Sequence, residues 1–321
     1  MHFGSVARLI RLFYIQIEVI FLFIKTAEKP PQLVYLEEVH GRMHMTESDR
    51  RKYYNLKVGY EGEKKVYDYL KQFHHGVCIW DIRLNISGEI QYDFIIIVNG
   101  VIFVLEIKNY YGNYTYKDGN LKSESGFVSR DVFSQASNER DKFESFCYEH
   151  NIHYKIVNEV IFVNDHFKVL NEVDHVKFHS MQAIEQLAEY MCGYEITDED
   201  IAIGKMIVNH HIEKSKNEQT HYYPYEKMKR GLKCPVCKRF LKVERNAKRL
   251  IKCTCGHKMS KTEAICEAFE KIEMLKRDAV TVADVCEWVD CNPSGIRKVL
   301  GERYKKIGRF KDRKYRSCYL L

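Results

Sequence analysis

Proline is scarce in this chain of 321 residues, at five, and glycine numbers only 17. So little of either leaves no room for long flexible linkers or low-complexity tracts, and no internal repeat stands out. An uninterrupted apolar run of membrane length is missing as well. The most apolar stretch, Leu9–Ile24, contains Arg11, Gln16 and Glu18 and falls short of the ~20 residues a span needs. No small-x-small cleavage site follows it, so it reads as a peripheral helix or a stretch upstream of the folded domain. The eleven cysteines show no disulfide framework: four cluster between positions 234 and 255, and seven are scattered. A reducing, cytoplasmic setting without a membrane partner is expected.

What is present is an ordinary globular composition, 45% hydrophobic and 30% charged, long enough for two or three compact units. Charge is unevenly spread. Residues 225–321 hold 26 Lys and Arg against 12 Asp and Glu, while the first 224 residues hold 25 against 32. A basic last third behind an acidic front points to a polyanionic partner for the tail.

Pattern divides the chain into an apolar leader (1–24), a partly helical extension (25–57), a mixed α/β domain (58–165) and its helical extension (166–225). A cysteine-bearing basic segment (226–261) and a mostly helical unit (262–321) follow. Glu61–Phe73 has helical spacing. Val77–Leu84, Ile90–Val98 and Val101–Ile107 are rich in β-branched and aromatic residues and read as strands. A polar stretch with several glycines leads to a helix near Gln135–Tyr148, then a buried strand at Ile156–Val163. Met181–Met191 and Asp198–Ile212 read as helices.

Asn99-Gly100 between two of these strands is a strong two-residue hairpin signal. With Val98 facing Val101, the register sets Asp93 opposite Glu106 and Gln91 opposite Lys108, all on one face. Opposed side chains lie about 4.5–5.5 Å apart at Cβ, where like charges destabilise the sheet. Two carboxylates on otherwise apolar strands therefore call for compensation, which Mg²⁺ or Mn²⁺ supplies through hard oxygen ligands. Lys108 would project beside such an ion and stabilise developing phosphate charge.

The strings Gly59-Tyr60-Glu61-Gly62-Glu63, Gln91-Tyr92-Asp93-Phe94 and Glu106-Ile107-Lys108-Asn109-Tyr110-Tyr111-Gly112 carry a resemblance. Over residues 58–165 the chain resembles the nuclease-related domain (NERD) family, a branch of the PD-(D/E)xK restriction-endonuclease-like superfamily. The resemblance implies a mixed sheet flanked by helices, with Asp93 and Glu106 as metal ligands and Lys108 as catalytic lysine. It further implies that Glu63 completes the metal site, although a carboxylate favoured by a helix N-terminus is an equal alternative. Gln135 resembles the glutamine that opens the helix after the core strands. The family commonly has a histidine after the strand aspartate; Phe94 stands there, and alternation turns it away from the metal face.

Cys234, Cys237, Cys253 and Cys255 form two close pairs fifteen residues apart, the pattern of a structural zinc ribbon. The second pair has a one-residue spacer, so His257 is an alternative fourth ligand. Lys233, Lys238, Arg239, Lys242, Arg245, Lys248, Arg249 and Lys252 read as a phosphate-binding surface here. Further on, helices at Ala264–Lys276, Thr281–Val289 and from Ser294 precede a basic hairpin turning at Lys311-Asp312-Arg313. That order resembles a winged helix, with Arg297, Lys298, Arg303, Lys305, Lys306 and Arg309 along the recognition element and wing. The expectation is a Mg²⁺-dependent (or Mn²⁺-dependent) nuclease with structural Zn²⁺, acting on DNA in preference to RNA. A non-catalytic DNA-binding regulator and an RNA-processing nuclease are the alternatives. The paired histidines, His210-His211 among them, suggest no second metal site.

Overall fold

The computed structural model describes residues 23–129, 131–171, 173, 176–213, 220–241, 250–289, 291–309 and 312–317. Two compact units emerge, both discontinuous in sequence: residues 1–30 with 54–219, and residues 31–53 with 220–321. Residues 31–53, expected within a separate extension, thus pack in the unit that contains the C-terminal third.

The first unit is built on a mixed six-stranded sheet. Its chain begins with β1 (Phe23–Lys25); α1 (Pro31–Val39) and the first residues of α2 (Glu47–Leu70) belong to the other unit. There follow β2 (Val77–Asn85), β3 (Glu89–Val98), β4 (Val101–Lys108), and the short β5 (Gly112–Lys117), β6 (Asn120–Ser123) and β7 (Val128–Ser129). Then come α3 (Val132–Glu149), β8 (Lys155–Phe162), β9 (Phe167–Val169), β10 (His179–Ser180), α4 (Met181–Cys192) and α5 (Asp198–Asn209).

The main sheet runs β1-β2-β3-β4-β8-β10. Its β2-β3-β4 meander is antiparallel, while β1, β8 and β10 add in parallel. Helices cover both faces. Trp80, Phe94, Ile96, Leu105 and Ile161 pack with Val66 and Leu70 of α2 and Ile184 and Met191 of α4. Ile79, Ile95, Ile97, Ile102 and Val104 pack with Phe143 and Phe146 of α3 and Ile203 and Ile207 of α5. Apolar strands buried on both faces supply most of the driving force, about 1.5–3 kcal/mol for each large side chain. That surplus is what allows charged groups to be placed at the strand ends.

Three departures from the sequence reading have plain causes. The leader's last residues, Phe23 and Ile24, are sheet rather than helix, with Phe23 paired to Cys78; residues 1–22 lie outside the described residues. The helix expected from Glu61 begins at Glu47, because its polar first half gives no apolar period. The polar stretch after Gly112 is a second sheet, β7-β6-β5-β9. Its β5–β6 hairpin turns on Asp118-Gly119, both with positive φ, a turn signal of the same kind as Asn99-Gly100.

In the second unit a short hairpin, β11 (Leu250–Lys252) with β12 (Lys258–Ser260), precedes α6 (Lys261–Lys276), α7 (Val282–Cys286) and α8 (Pro293–Arg303). The antiparallel pair β13 (Lys305–Ile307) and β14 (Lys314–Arg316) closes the described chain. Val280, between α6 and α7, bridges to Tyr315, so the order is helix, strand residue, helix, helix, hairpin. Thr281 and Asp284 form a reciprocal capping box on α7. Arg42 is buried between the Trp288 ring, 4.0 Å from its centroid, and Glu38, and donates to the carbonyls of Lys229 and Gly231. No helix among the described residues is long and apolar enough to cross a membrane.

Candidate active site and cysteine cluster

The β3–β4 hairpin adopts the register expected from its turn, from Val98 opposite Val101 to Phe94 opposite Leu105. Beyond that pair the ladder stops, for a local reason. Asp93 Oδ2 accepts the Ile107 backbone N–H at 2.7 Å, so a side chain takes the place of a cross-strand bond. Gln91 does not meet Lys108; it is exposed and bonds Asp81 and Arg83 on β2. Lys108 instead lies in the parallel β4–β8 ladder, opposite Phe162.

The site collects acids around one lysine. Glu106 and Lys108 form an ion pair with side chains 12% and 17% exposed, shielded enough for the charge to matter. Desolvation, then the charges of Glu106 and Glu63, pushes the Asp93 carboxyl well above the usual range. Glu63 accepts the Trp80 indole N–H at 2.9 Å and is pushed up to about 7 by burial, with Asp81 and Glu106 adding repulsion. It sits deep within α2, so the helix N-terminus alternative for this residue does not hold. Burial lowers the affinity of Lys108 for its proton, but the charge and hydrogen bond of Glu106, with Tyr110 and Asp93 adding, make the net shift upward.

Gln135 lies on the exposed side of α3 and donates to Glu139 at 2.9 Å. Glu139 did not emerge from the sequence reading. Burial, with Glu106 next, pushes it up to about 7. The available signal was its position four residues after Gln135, which puts both on one helical face.

The surrounding motif residues have structural duties. A Cβ on Gly62 would meet Asn109 Cβ at 2.7 Å, so glycine lets α2 lie against the end of β4. Asn109 donates to the Val58 carbonyl at 2.9 Å and accepts from Asn164 at 3.0 Å. Tyr110 bonds Ser129 at 2.7 Å and stacks on Tyr114. Gly112, at φ +95°, permits the turn into β5. Phe94 lies against Trp80 in the apolar layer.

Glu63, Asp93 and Glu139 all interact with Lys108, Glu139 with Lys142 as well, and all three are driven toward protonation by burial and by repulsion from neighbouring acids. With Glu106 these are oxygen-only donors, partly desolvated and short of positive charge, the chemistry a hard divalent cation calls for, but no three of their carboxylate oxygens lie within 4.8 Å of one another.

A second cluster is formed of thiols. The ligand atoms of Cys234, Cys237, Cys253 and Cys255 all lie within 4.8 Å of one another, the only such group of three or more metal-binding side chains among the described residues. Cys255, not His257, is the fourth member. Each pair sits in a tight turn: Cys234 N–H donates to Arg239 O, and Cys253 N–H to His257 O, both at 2.8 Å. Lys238 and Gly256 take positive φ there. Lys242, Arg245, Lys248 and Arg249 lie outside the described residues, as does Lys311; Lys233, expected on the phosphate-binding surface, is instead buried, its Nζ donating to the carbonyls of Glu37, Glu38 and His40. Arg297, Lys298, Arg303, Lys305, Lys306 and Arg309 are all exposed along α8, β13 and the residues just after it.

The family model described as "Nuclease-related domain" (NERD) matches residues 58–164. Neither the curated proteins nor the solved structures give a match.

Proposed function

We propose, from the premise that residues 58–164 are a nuclease-related domain, that this chain is a Mg²⁺-dependent nuclease that hydrolyses phosphodiester bonds in DNA. The observation that carries the proposal is the gathering of Asp93, Glu106 and Glu63 around Lys108 inside that segment. Asp93 and Glu106 would hold the cation, with Glu63 completing the set. When bound, the ion supplies Lewis-acid stabilisation of phosphoryl charge and lowers the pKa of a coordinated water.

The chain's own residues do the rest. Lys108 Nζ keeps its proton against Glu106 and presents positive charge toward a phosphate oxygen as the bond to the leaving group breaks. Glu139, held by Gln135, borders the site as a carboxyl titrating near neutrality, suited to take a proton from an attacking water. The apolar layers under the strands keep bulk water from screening these charges.

The thiol cluster would bind Zn²⁺ as a closed structural site. The helix–strand–helix–helix–hairpin order of 261–316, with α8 and β13 carrying exposed lysines and arginines, supports a winged helix that holds DNA by its phosphates.

The test is cleavage of labelled single-stranded DNA, duplex DNA and RNA with Mg²⁺, and with EDTA as control. Mg²⁺-dependent DNA cleavage that Asp93→Ala abolishes is expected. DNA binding without cleavage by the intact protein would favour a regulator, and RNA as the better substrate would overturn the DNA assignment.

A further inference from the structure

Among the described residues, Asp81 is the one non-glycine residue inside a strand with left-handed backbone, at φ +59°. The others with positive φ occupy turns, loops and helix ends. An L side chain is disfavoured in this region, Asp less than most. Such an outlier within a paired strand persists only where its surroundings hold it.

Its effect is visible in the core. Before Asp81, even-numbered Cys78 and Trp80 face the layer of α2 and α4; after it, even-numbered Ile82 and Leu84 face the layer of α3 and α5. Strand β3 turns over at the same level: Phe94 and Ile96 face the first layer, Tyr92 the second. The register is nevertheless unbroken, with Trp80 opposite Phe94 and Ile82 opposite Tyr92. The two strands therefore invert together at the positions of Asp81 and Asp93. There Asp93 leaves the β4 ladder and its carboxylate takes the Ile107 amide.

The backbone of the kink is held from the sheet edge, where Lys25 Nζ donates to the Trp80 carbonyl at 3.2 Å and to the Asp81 carbonyl. Lys25 belongs to β1, which lies outside residues 58–164.

We infer that Lys25 and Asp81 are positioning residues: their kink inverts β2 and β3 so that Asp93 can join Glu63 and Glu106. Cation binding at those carboxylates thus requires the edge strand Phe23–Lys25, outside the nuclease-related segment. The inference rests on the proposed role of Asp93 in holding the cation.

The experiment uses the full chain and reads Mn²⁺ binding from the loss of the free-ion paramagnetic resonance signal, together with kcat and KM for DNA cleavage. Asp81→Gly keeps the backbone and loses the carboxylate, so Mn²⁺ affinity within about threefold of the parent is expected. Asp81→Val and Lys25→Met should each weaken Mn²⁺ binding and lower kcat by about tenfold or more, with KM little changed. Lys25→Met carries the test if Asp81→Val does not fold. Parental Mn²⁺ binding in Lys25→Met overturns the inference, as does a loss in Asp81→Gly as large as in Asp81→Val. If Asp93→Asn binds Mn²⁺ as well as the parent, or the parent binds none, the reading of the carboxylate site fails first and takes the inference with it.

Discussion

The carboxylate group of the first unit and the thiol group of the second are both suited to a cation, but their scaffolds differ. Asp93, Glu106 and Lys108 stand on strands whose neighbours are almost all buried on both faces. Sheet and helices hold the acids in repulsive proximity whether or not a cation is present. The four cysteines stand on two short turns, with Leu232, Ile251 and Met259 the buried apolar side chains of the described residues 232–260 other than cysteine. There the ligands must supply much of the local stability. One group is a strained arrangement imposed by a core; the other is itself a core.

The largest expected effect follows directly. Removing metal from the cysteine cluster should unfold residues 232–260, since structural zinc sites contribute on the order of 10 kcal/mol or more of apparent folding free energy. Cys237→Ser together with Cys253→Ser should do the same. Limited proteolysis would show new cleavage in this segment while residues 58–164 stay resistant. Equal resistance with and without metal would break the comparison.

At the carboxylate site the reverse holds: chemistry is lost and the fold stays. Lys108→Ala should lower cleavage by about 10²–10³-fold, the scale for deleting one preorganised charge-stabilising group. The melting temperature should change little with Mg²⁺ present, because the cation takes over neutralising Glu106, which the deletion leaves without its counter-charge. Steady-state kinetics beside a thermal melt reads both, and a large fall in melting temperature would show that the lysine mainly supports the sheet.

Next in size is Gly62→Ala. Its new methyl would meet Asn109 Cβ at 2.7 Å, and overpacking of this kind costs about 1–3 kcal/mol. Because α2 carries Glu63 and Asn109 adjoins Lys108, activity should fall more steeply than stability. A variant equally affected in both would mean the contact serves only packing.

The same contrast explains what the sequence disclosed. The β3–β4 hairpin was legible because an Asn-Gly turn between two apolar strands leaves one register. The thiol cluster was legible because ligand spacing is local. What escaped depends on tertiary context. The end of the ladder at Asp93 comes from a side chain competing for the Ile107 amide. The entry of Phe23–Lys25 into the sheet comes from a strand far away in sequence, with Phe23 against Cys78 and Lys25 against Ile79. Glu139 became conspicuous only once Glu106 lay near it. The β5–β6 hairpin is different: its Asp118-Gly119 turn was present to be read, but its strands are too polar and short to mark themselves.

The smallest effect separates the two scaffolds most cleanly, because one chemical change can be made in both. Gly100 in the β3–β4 turn has φ +71°, and Gly256 in the second cysteine turn has φ +91°. Neither would bring a Cβ within 4 Å of another group, so Gly→Ala at either position costs backbone strain alone, about 1–2 kcal/mol. In the hairpin that cost falls on the folded unit and should appear as a drop of roughly 2–8 °C in its melting temperature, with Mg²⁺-dependent cleavage unchanged. In the cysteine turn the strained state would be the one that holds zinc. Gly256→Ala should therefore appear as about a tenfold loss of zinc affinity, the equivalent of about 1.4 kcal/mol, in competition with a chromophoric chelator. If Gly256→Ala instead lowered thermal stability at saturating zinc and left the affinity alone, the cysteine turns would be preformed without metal. The two sites would then differ in ligand chemistry but not in how they are built.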